Sequence, residues 1–295
     1  MYEHILVPTD GSDHARRAAE HATLLAEGFD ATVHLLAVVD IEAAAGPFSA
    51  GGVDDEYVDQ RTAAQRTALS DLADSLDYSG AVETTVVTGT PAEGILDYAR
   101  NGGADLVVMG THGRSGLRRY LTGSVAERVV RLSPVPVLTV RATEASAVGE
   151  GYDDILLPTD GSERAAAAVA PALAVADAFG STVHVVSVVN VGDIATGAET
   201  SVPAELLDEL EDAAADATAA VASETQAAGV DAVTDVWTGR PKHDLLEYVD
   251  DHDIEMVVMG THGRTGLERV LLGSTAEALV RRAEVPVMTV GEERD

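Results

Sequence analysis

The sequence predicts an α/β fold made twice: two doubly wound parallel sheets of five strands each, Rossmann-like with strand order 3-2-1-4-5, in tandem. Three observations predict it. First, the chain repeats itself at an offset of 150 residues. Ile5 to Ser12 matches Ile155 to Ser162, Thr32 to His34 matches Thr182 to His184, Thr88 to Pro91 matches Thr238 to Pro241, and Val135 to Val137 matches Val285 to Val287. That period is too long for a solenoid and marks a duplicated domain. Second, short continuous apolar runs alternate with segments of helical period, the pattern of strands covered by helices on both faces. Third, each half carries one glycine-rich stretch between an apolar run and a helix start, Gly110 to Ser124 and Gly260 to Ser274.

Within the first copy, Glu3 to Val7 reads as a strand that Pro8 stops, because proline cannot continue a central ladder. Asp10-Gly11-Ser12 makes a turn, and Ser12 is placed to cap a helix from Asp13 to Glu27. Thr32 to Val39 is the second strand. A loop with Gly46-Pro47 and Gly51-Gly52 leads to a helix over Asp54 to Asp77. Val82 to Thr88 is the third strand, and Gly89-Thr90-Pro91 opens a helix that runs to Asn101. The fourth strand is Asp105 to Met109, followed by the glycine loop, a helix over Ala126 to Leu132 and a last strand, Val135 to Val140. The second copy follows suit, with helices at Ala204 to Ala228 and Ala276 to Ala283. The expected domains are 1–143 and 152–295, joined by a polar linker at 144–151.

Composition narrows the function. Hydrophobic residues make up 46% of the chain but aromatics only 4%, so both cores must be built from Ala, Val, Leu and Ile. There is no cysteine, which excludes disulfides, thiolate catalysis and cysteine-ligated metal. No apolar run reaches the roughly 18 residues of a membrane span, and the start of the chain has no signal-peptide layout, so the expected location is cytoplasmic. The net charge is −31, and Lys242 is the sole lysine. Acid spread over a chain this rich in apolar residues reads as a folded surface suited to concentrated salt, a halophilic adaptation; a merely acidic protein is the alternative. A basic face for nucleic acid is lacking.

Both glycine stretches have the spacing Gly-x2-Gly-x9-Gly-Ser. Glycines let backbone N–H groups approach an anion, and a helix N-terminus adds partial positive charge, so the pattern suits phosphate. It is neither a Walker A loop nor the dinucleotide fingerprint, and glycine-rich strand-to-helix turns also serve structure alone. In a sheet ordered 3-2-1-4-5, ligands bind beyond the strand ends where the order reverses, between the first and fourth strands. Pro8-Thr9-Asp10 and the Gly110 loop would face that crevice together.

These residues resemble the universal stress protein family, specifically a tandem, UspA-like member. The resemblance covers nearly the whole chain. It rests on Val7-Pro8-Thr9-Asp10-Gly11-Ser12, on Met109-Gly110-Thr111-His112-Gly113-Arg114, on Gly123-Ser124 before Ala126-Glu127, and on Val135-Pro136-Val137, each with its counterpart. Part of that family binds ATP through the Gly-x2-Gly-x9-Gly-Ser/Thr loop. The resemblance therefore implies an ATP-binding (adenine nucleotide-binding) stress-response regulator or sensor.

It implies roles residue by residue. Pro8, Thr9, Asp10 and Pro158, Thr159, Asp160 would line the crevice, with Asp10 and Asp160 near the ribose or a phosphate-bound Mg²⁺; a turn or helix cap is their alternative. Val38 and Val188 would meet adenine through backbone groups, or serve only as strand core. Met109, Gly110, Gly113, Gly123 and Met259, Gly260, Gly263, Gly273 would frame the phosphates. Ser124 and Ser274 offer a hydroxyl and an N–H, or a cap. His112 and His262 touch phosphate or are structural, and Arg114 and Arg264 clamp phosphate or point outward. No catalytic residue stands out; slow Mg²⁺-dependent hydrolysis or nucleotide transfer, and a nucleotide-free interaction module, are the alternative functions. The family also implies an internal pseudo-dimer through the final strands, homodimerisation and an unidentified regulatory protein partner.

The copies differ. Arg118 becomes Glu268 and Asp40 becomes Asn190. Residues 1–143 carry 11 basic and 20 acidic side chains, residues 151–295 carry 8 and 28. The first site is therefore expected to hold an anionic nucleotide more tightly.

Overall fold

A computed structural model of the chain describes residues 1–40, 55–113, 123–190, 203–261 and 272–291. It contains two compact units, Met1–Glu150 and Gly151–Glu292. The first runs β1 (His4–Pro8), α1 (Asp13–Phe29), β2 (Thr32–Val39), α2 (Asp55–Ser75), β3 (Val82–Thr88), α3 (Pro91–Asn101), β4 (Leu106–Gly110), α4 (Ser124–Leu132) and β5 (Val137–Val140). The second runs β6 (Asp154–Pro158), α5 (Glu163–Ala166), α6 (Val169–Phe179), β7 (Thr182–Asn190), α7 (Ala204–Ala227), β8 (Ala232–Gly239), α8 (Pro241–Asp251), β9 (Met256–Gly260), α9 (Ser274–Arg282) and β10 (Val287–Val290).

Within the first unit the strands lie in the order β3-β2-β1-β4-β5, all parallel. Within the second they lie in the equivalent order β8-β7-β6-β9-β10, also parallel. The expected order 3-2-1-4-5 is the one found. Central strands are buried throughout: Ile5, Leu6, Val7, Leu106, Val107 and Val108 are fully shielded. Helix α1 packs chiefly on β4 and β1, α2 packs on β3 and β2, and α3 pairs with α4. Strand β3 has one neighbour, and its Glu83 and Thr84 are exposed, the polarity expected of an edge.

Several boundaries moved for local reasons. Helix α1 passes through Gly28 to Phe29 and ends at Asp30, which takes the left-handed conformation (φ 54°). Strand β5 starts at Val137; Pro136 has no N–H and contributes only its carbonyl, which accepts from Val107 N–H at 3.0 Å. The second copy of the first helix is broken into α5 and α6. Pro171 is the cause: it cannot donate to the carbonyl of Ala167, and its ring crowds that carbonyl.

The segment after β5 is not an extended spacer. Residues 141–147 fold into a compact turn in which Ser146 is 1% exposed. Ser146 Oγ donates to the carbonyl of Arg141, Ser146 N–H donates to Thr143 Oγ1 at 3.2 Å, and Ala147 N–H donates to Glu144 O at 3.0 Å.

Candidate functional site

The site is built from three strand ends. Strand β1 pairs with β2 as far as Pro8 opposite Leu36, and the last bond between them runs from Thr9 N–H to Leu36 O at 2.8 Å. Residues of a parallel strand present their N–H and C=O alternately to the two neighbours. Thr32 and Leu36 face β1, whereas Val33 and Val39 face β3. By the same alternation Val38 points its N–H and C=O towards the β1 side, two residues beyond that last bond. Its side chain meanwhile packs on α3, where a Cβ at Gly94 would stand 3.1 Å from a Val38 methyl. The second unit repeats this: Thr159 N–H bonds Val186 O at 2.9 Å, and Val188 lies two residues further on.

Beyond β1 the chain turns sharply. Gly11 holds φ 77° and donates its N–H to Thr9 Oγ1 at 3.1 Å. Ser12 N–H donates to Asp10 Oδ1 at 3.0 Å, and Ser12 Oγ in turn accepts from Ala15 N–H at 3.3 Å as the cap of α1. The other Asp10 oxygen faces across to the β4 loop, 2.5 Å from where a Cβ on Gly113 would stand. Ser12 Oγ also donates to His112 O at 3.3 Å. The two loops singled out by sequence therefore meet where the strand order reverses. Asp160 and Ser162 form the same turn, with Ser162 N–H on Asp160 Oδ1 at 3.0 Å.

The β4 loop is tied on its far side. Thr111 N–H donates to Val140 O at 3.0 Å, Thr111 Oγ1 lies 3.0 Å from His112 Nδ1, and Gly123 N–H returns to Thr111 O at 2.7 Å. Gly273 closes on Thr261 in the same way at 2.7 Å. Gly123 and Gly273, not the serines after them, are the N-caps of α4 and α9, and Ser124 and Ser274 occupy the first helical position. The first helical bond is Glu127 N–H to Gly123 O at 3.0 Å, so the N–H groups of residues 124–126 point out of the helix end.

Gly110 and Gly260 have a packing reason to be glycine. A Cβ on Gly110 would sit 2.8 Å from the Cβ and carbonyl carbon of His14, and one on Gly260 would strike the carbonyl oxygen of Arg164. Met109 is buried at 5% exposure and Met259 at 6%, so only their backbones can reach a ligand. Pro8 and Pro158 are buried at the strand ends, whereas Thr9, Asp10, His112 and Gly123 are partly or wholly open. Arg114, His262, Gly263 and Arg264, and the Arg118/Glu268 difference, lie outside the described residues.

His14 was not singled out by sequence. Its ring lies 5.2 Å from that of His112, and its Nδ1 accepts from Ala142 N–H at 2.9 Å. Burial lowers its pKa below the usual histidine value; His112 and Arg141 push the same way, against Asp13 and Asp10. The signal available in sequence was only its place in the first turn of α1, two residues after the cap.

A cavity of about 240 Å³ opens on the other flank of the β1–α1 turn, lined by Thr9, Ser12, Arg16, Gln65 and Leu69 among others. Among the described residues the one grouping of three metal-ligating side chains is His243, Asp244 and Glu247 on α8. Asp244 Oδ2 is already engaged by Arg240 N–H at 2.6 Å, and the positive end of the helix opposes a cation there, so Asp244 serves the start of α8. No described helix is long and apolar enough to cross a membrane.

Comparisons with known proteins agree with this architecture. A universal stress protein of Methanocaldococcus jannaschii is 37% identical over 143 residues, spanning 48% of this chain and 83% of its own. One from Mycolicibacterium smegmatis is 28% identical over 298 residues, spanning 97% of this chain and 96% of its own. The crystal structure of a universal stress protein from Archaeoglobus fulgidus shares the fold, with a TM-score of 0.70 at 23% identity over 99% of this chain and 97% of that one. The model of the universal stress protein family matches twice, at residues 1–141 and 151–291. The chain belongs to the universal stress protein family, as a tandem member with one family domain in each half.

Proposed function

We propose that each half binds an adenine nucleotide in the crevice between its first and fourth strands, and that the protein is a stress-response switch or sensor read out through that nucleotide. The observation that carries this reading is the position of Val38 and Val188. Each offers a backbone donor and acceptor side by side beyond the end of the neighbouring strand. That pair complements the edge of adenine, where a ring nitrogen accepts and the exocyclic amine donates.

The remaining groups support the same occupant. The N–H groups at the start of α4 and α9, with Gly113 and Gly123 beside them, suit phosphates. Asp10 and Asp160 stand between base and phosphate positions, where a carboxylate suits a ribose hydroxyl or the Mg²⁺ that travels with the nucleotide. Gly110 and Gly260 contribute by letting the first helix approach rather than by touching the ligand.

Protein purified in concentrated KCl, quenched with acid and chromatographed, is expected to release an adenine nucleotide at between one and two per chain. A chain that carries none, and that takes up none when ATP and Mg²⁺ are added, contradicts the reading.

A further inference from the structure

Helix α1 carries a stripe of three polar residues, His14, Arg17 and His21, spaced to lie along one face. All three bind the turn that follows β5. Ala142 N–H donates to His14 Nδ1 at 2.9 Å. The carbonyl of Ser146 takes Arg17 Nη1 at 2.6 Å and His21 Nε2 at 3.0 Å. His21 is 2% exposed and Ser146 1%, so the bond between them is dehydrated, while His14 and Arg17 reach the turn from its partly open side. The matching positions in the second copy are Arg164, Ala167 and Pro171, which lack the stripe. The stripe thus occurs only in the copy whose last strand runs on into the other half of the chain.

The same helix face touches the nucleotide loop. His14 packs on Gly110 and lies 5.2 Å from His112, while Thr111 bonds Val140, the residue just before the docked turn. We propose that His14, Arg17 and His21 form a docking face for the joining segment, and that occupancy of the first nucleotide site is transmitted through His112 and His14 to that segment. Coupling here rests on the nucleotide-binding reading above. Its direction follows from the contacts. A ligand that holds His112 and Gly113 also holds, through the contact of His112 with His14, the ring against which Ala142 docks, so binding fastens the turn. By reciprocity, loosening the turn weakens binding at the first site and leaves the second unchanged.

The test is hydrogen–deuterium exchange of the full chain in concentrated KCl, with and without ATP and Mg²⁺, paired with calorimetry on the same samples. ATP should slow exchange across 141–147. Arg17→Ala, the residue the second copy already tolerates, should speed exchange there without ligand and weaken the tighter ATP site about threefold to tenfold; Arg17→Lys should restore part of both. ATP bound at the first site with unchanged exchange over 141–147 overturns the coupling. So does an Arg17→Ala chain that loosens the turn at constant affinity. Calorimetry that finds no binding at all overturns the nucleotide reading itself and the coupling with it, and so separates the two failures.

Discussion

Asp10 faces Gly113 across the crevice, with one carboxylate oxygen 2.5 Å from where a Cβ on that glycine would stand. These residues are far apart in sequence and belong to different loops, and their approach, beside the bond from Ser12 Oγ to His112 O, joins the two motifs into one site. Gly113→Ala should push the Asp10 carboxylate aside, against its bond from Ser12 N–H, rather than unfold the unit. The expected result is a loss of ATP affinity at the first site of about tenfold, roughly 1.4 kcal/mol, with little change in thermal midpoint. Calorimetry beside a melting curve checks it.

Gly260→Ala should behave oppositely. The new methyl would meet the Arg164 carbonyl, which belongs to the backbone of α5 and cannot rotate away. The expected cost is about 1–3 kcal/mol of folding stability, the usual range for overpacking. Gly110→Ala should resemble it, since His14 and the start of Ala15 stand in the way. Urea denaturation at fixed KCl measures both.

His21 should make stability depend on pH. Burial pushes its pKa down to about 4; Arg17 adds to this and the Ser146 carbonyl opposes it. The folded chain therefore takes up this proton only near pH 4, while the unfolded chain takes it up near 6.5. Between those values the unfolded state binds more protons, so stability is full above pH 6.5 and falls as pH falls towards 4. At pH 4.5 the loss from this residue is about 2–3 kcal/mol. His21→Gln should flatten that part of the profile, as urea titrations of both chains at pH 7 and 4.5 would show.

The charge predicts a salt requirement. With a net charge of −31 the folded chain repels itself in dilute buffer, and at 1 M salt the screening length shrinks to about 3 Å. The thermal midpoint should rise by about 10 °C or more between 0.1 and 3 M KCl. Equal midpoints would refute a surface adapted to salt.

The strand order and the meeting of the two loops were legible because their signals are local and occur twice. Pro8 ends a strand, Gly11 permits a left-handed turn, and the Met109-Gly110 junction marks the loop in both copies. Gly110 reads in the sequence as a glycine that admits phosphate, and the packed position of His14 gives it a further reason to be glycine that spacing alone cannot show. Pro171 was visible, yet the comparison of repeats hid its effect, since its counterpart His21 continues the helix. The docked turn at 141–147 had no readable signal: the His21–Ser146 bond spans 125 positions, and small polar residues in a row look alike whether they are docked or solvated.

Titration calorimetry with ATP and Mg²⁺ in concentrated KCl decides whether both halves hold adenine nucleotide. Wild type, Gly123→Val and Gly273→Val would be run together. Close to two sites per chain are expected, the first tighter, with each variant losing its own site and Gly123→Val removing the stronger one. Loss of the stronger site from Gly273→Val instead would contradict the ranking. No ATP, ADP or AMP binding at any salt concentration that keeps the wild-type chain folded would contradict the claim itself, leaving the glycine loops as turns that only join strand to helix.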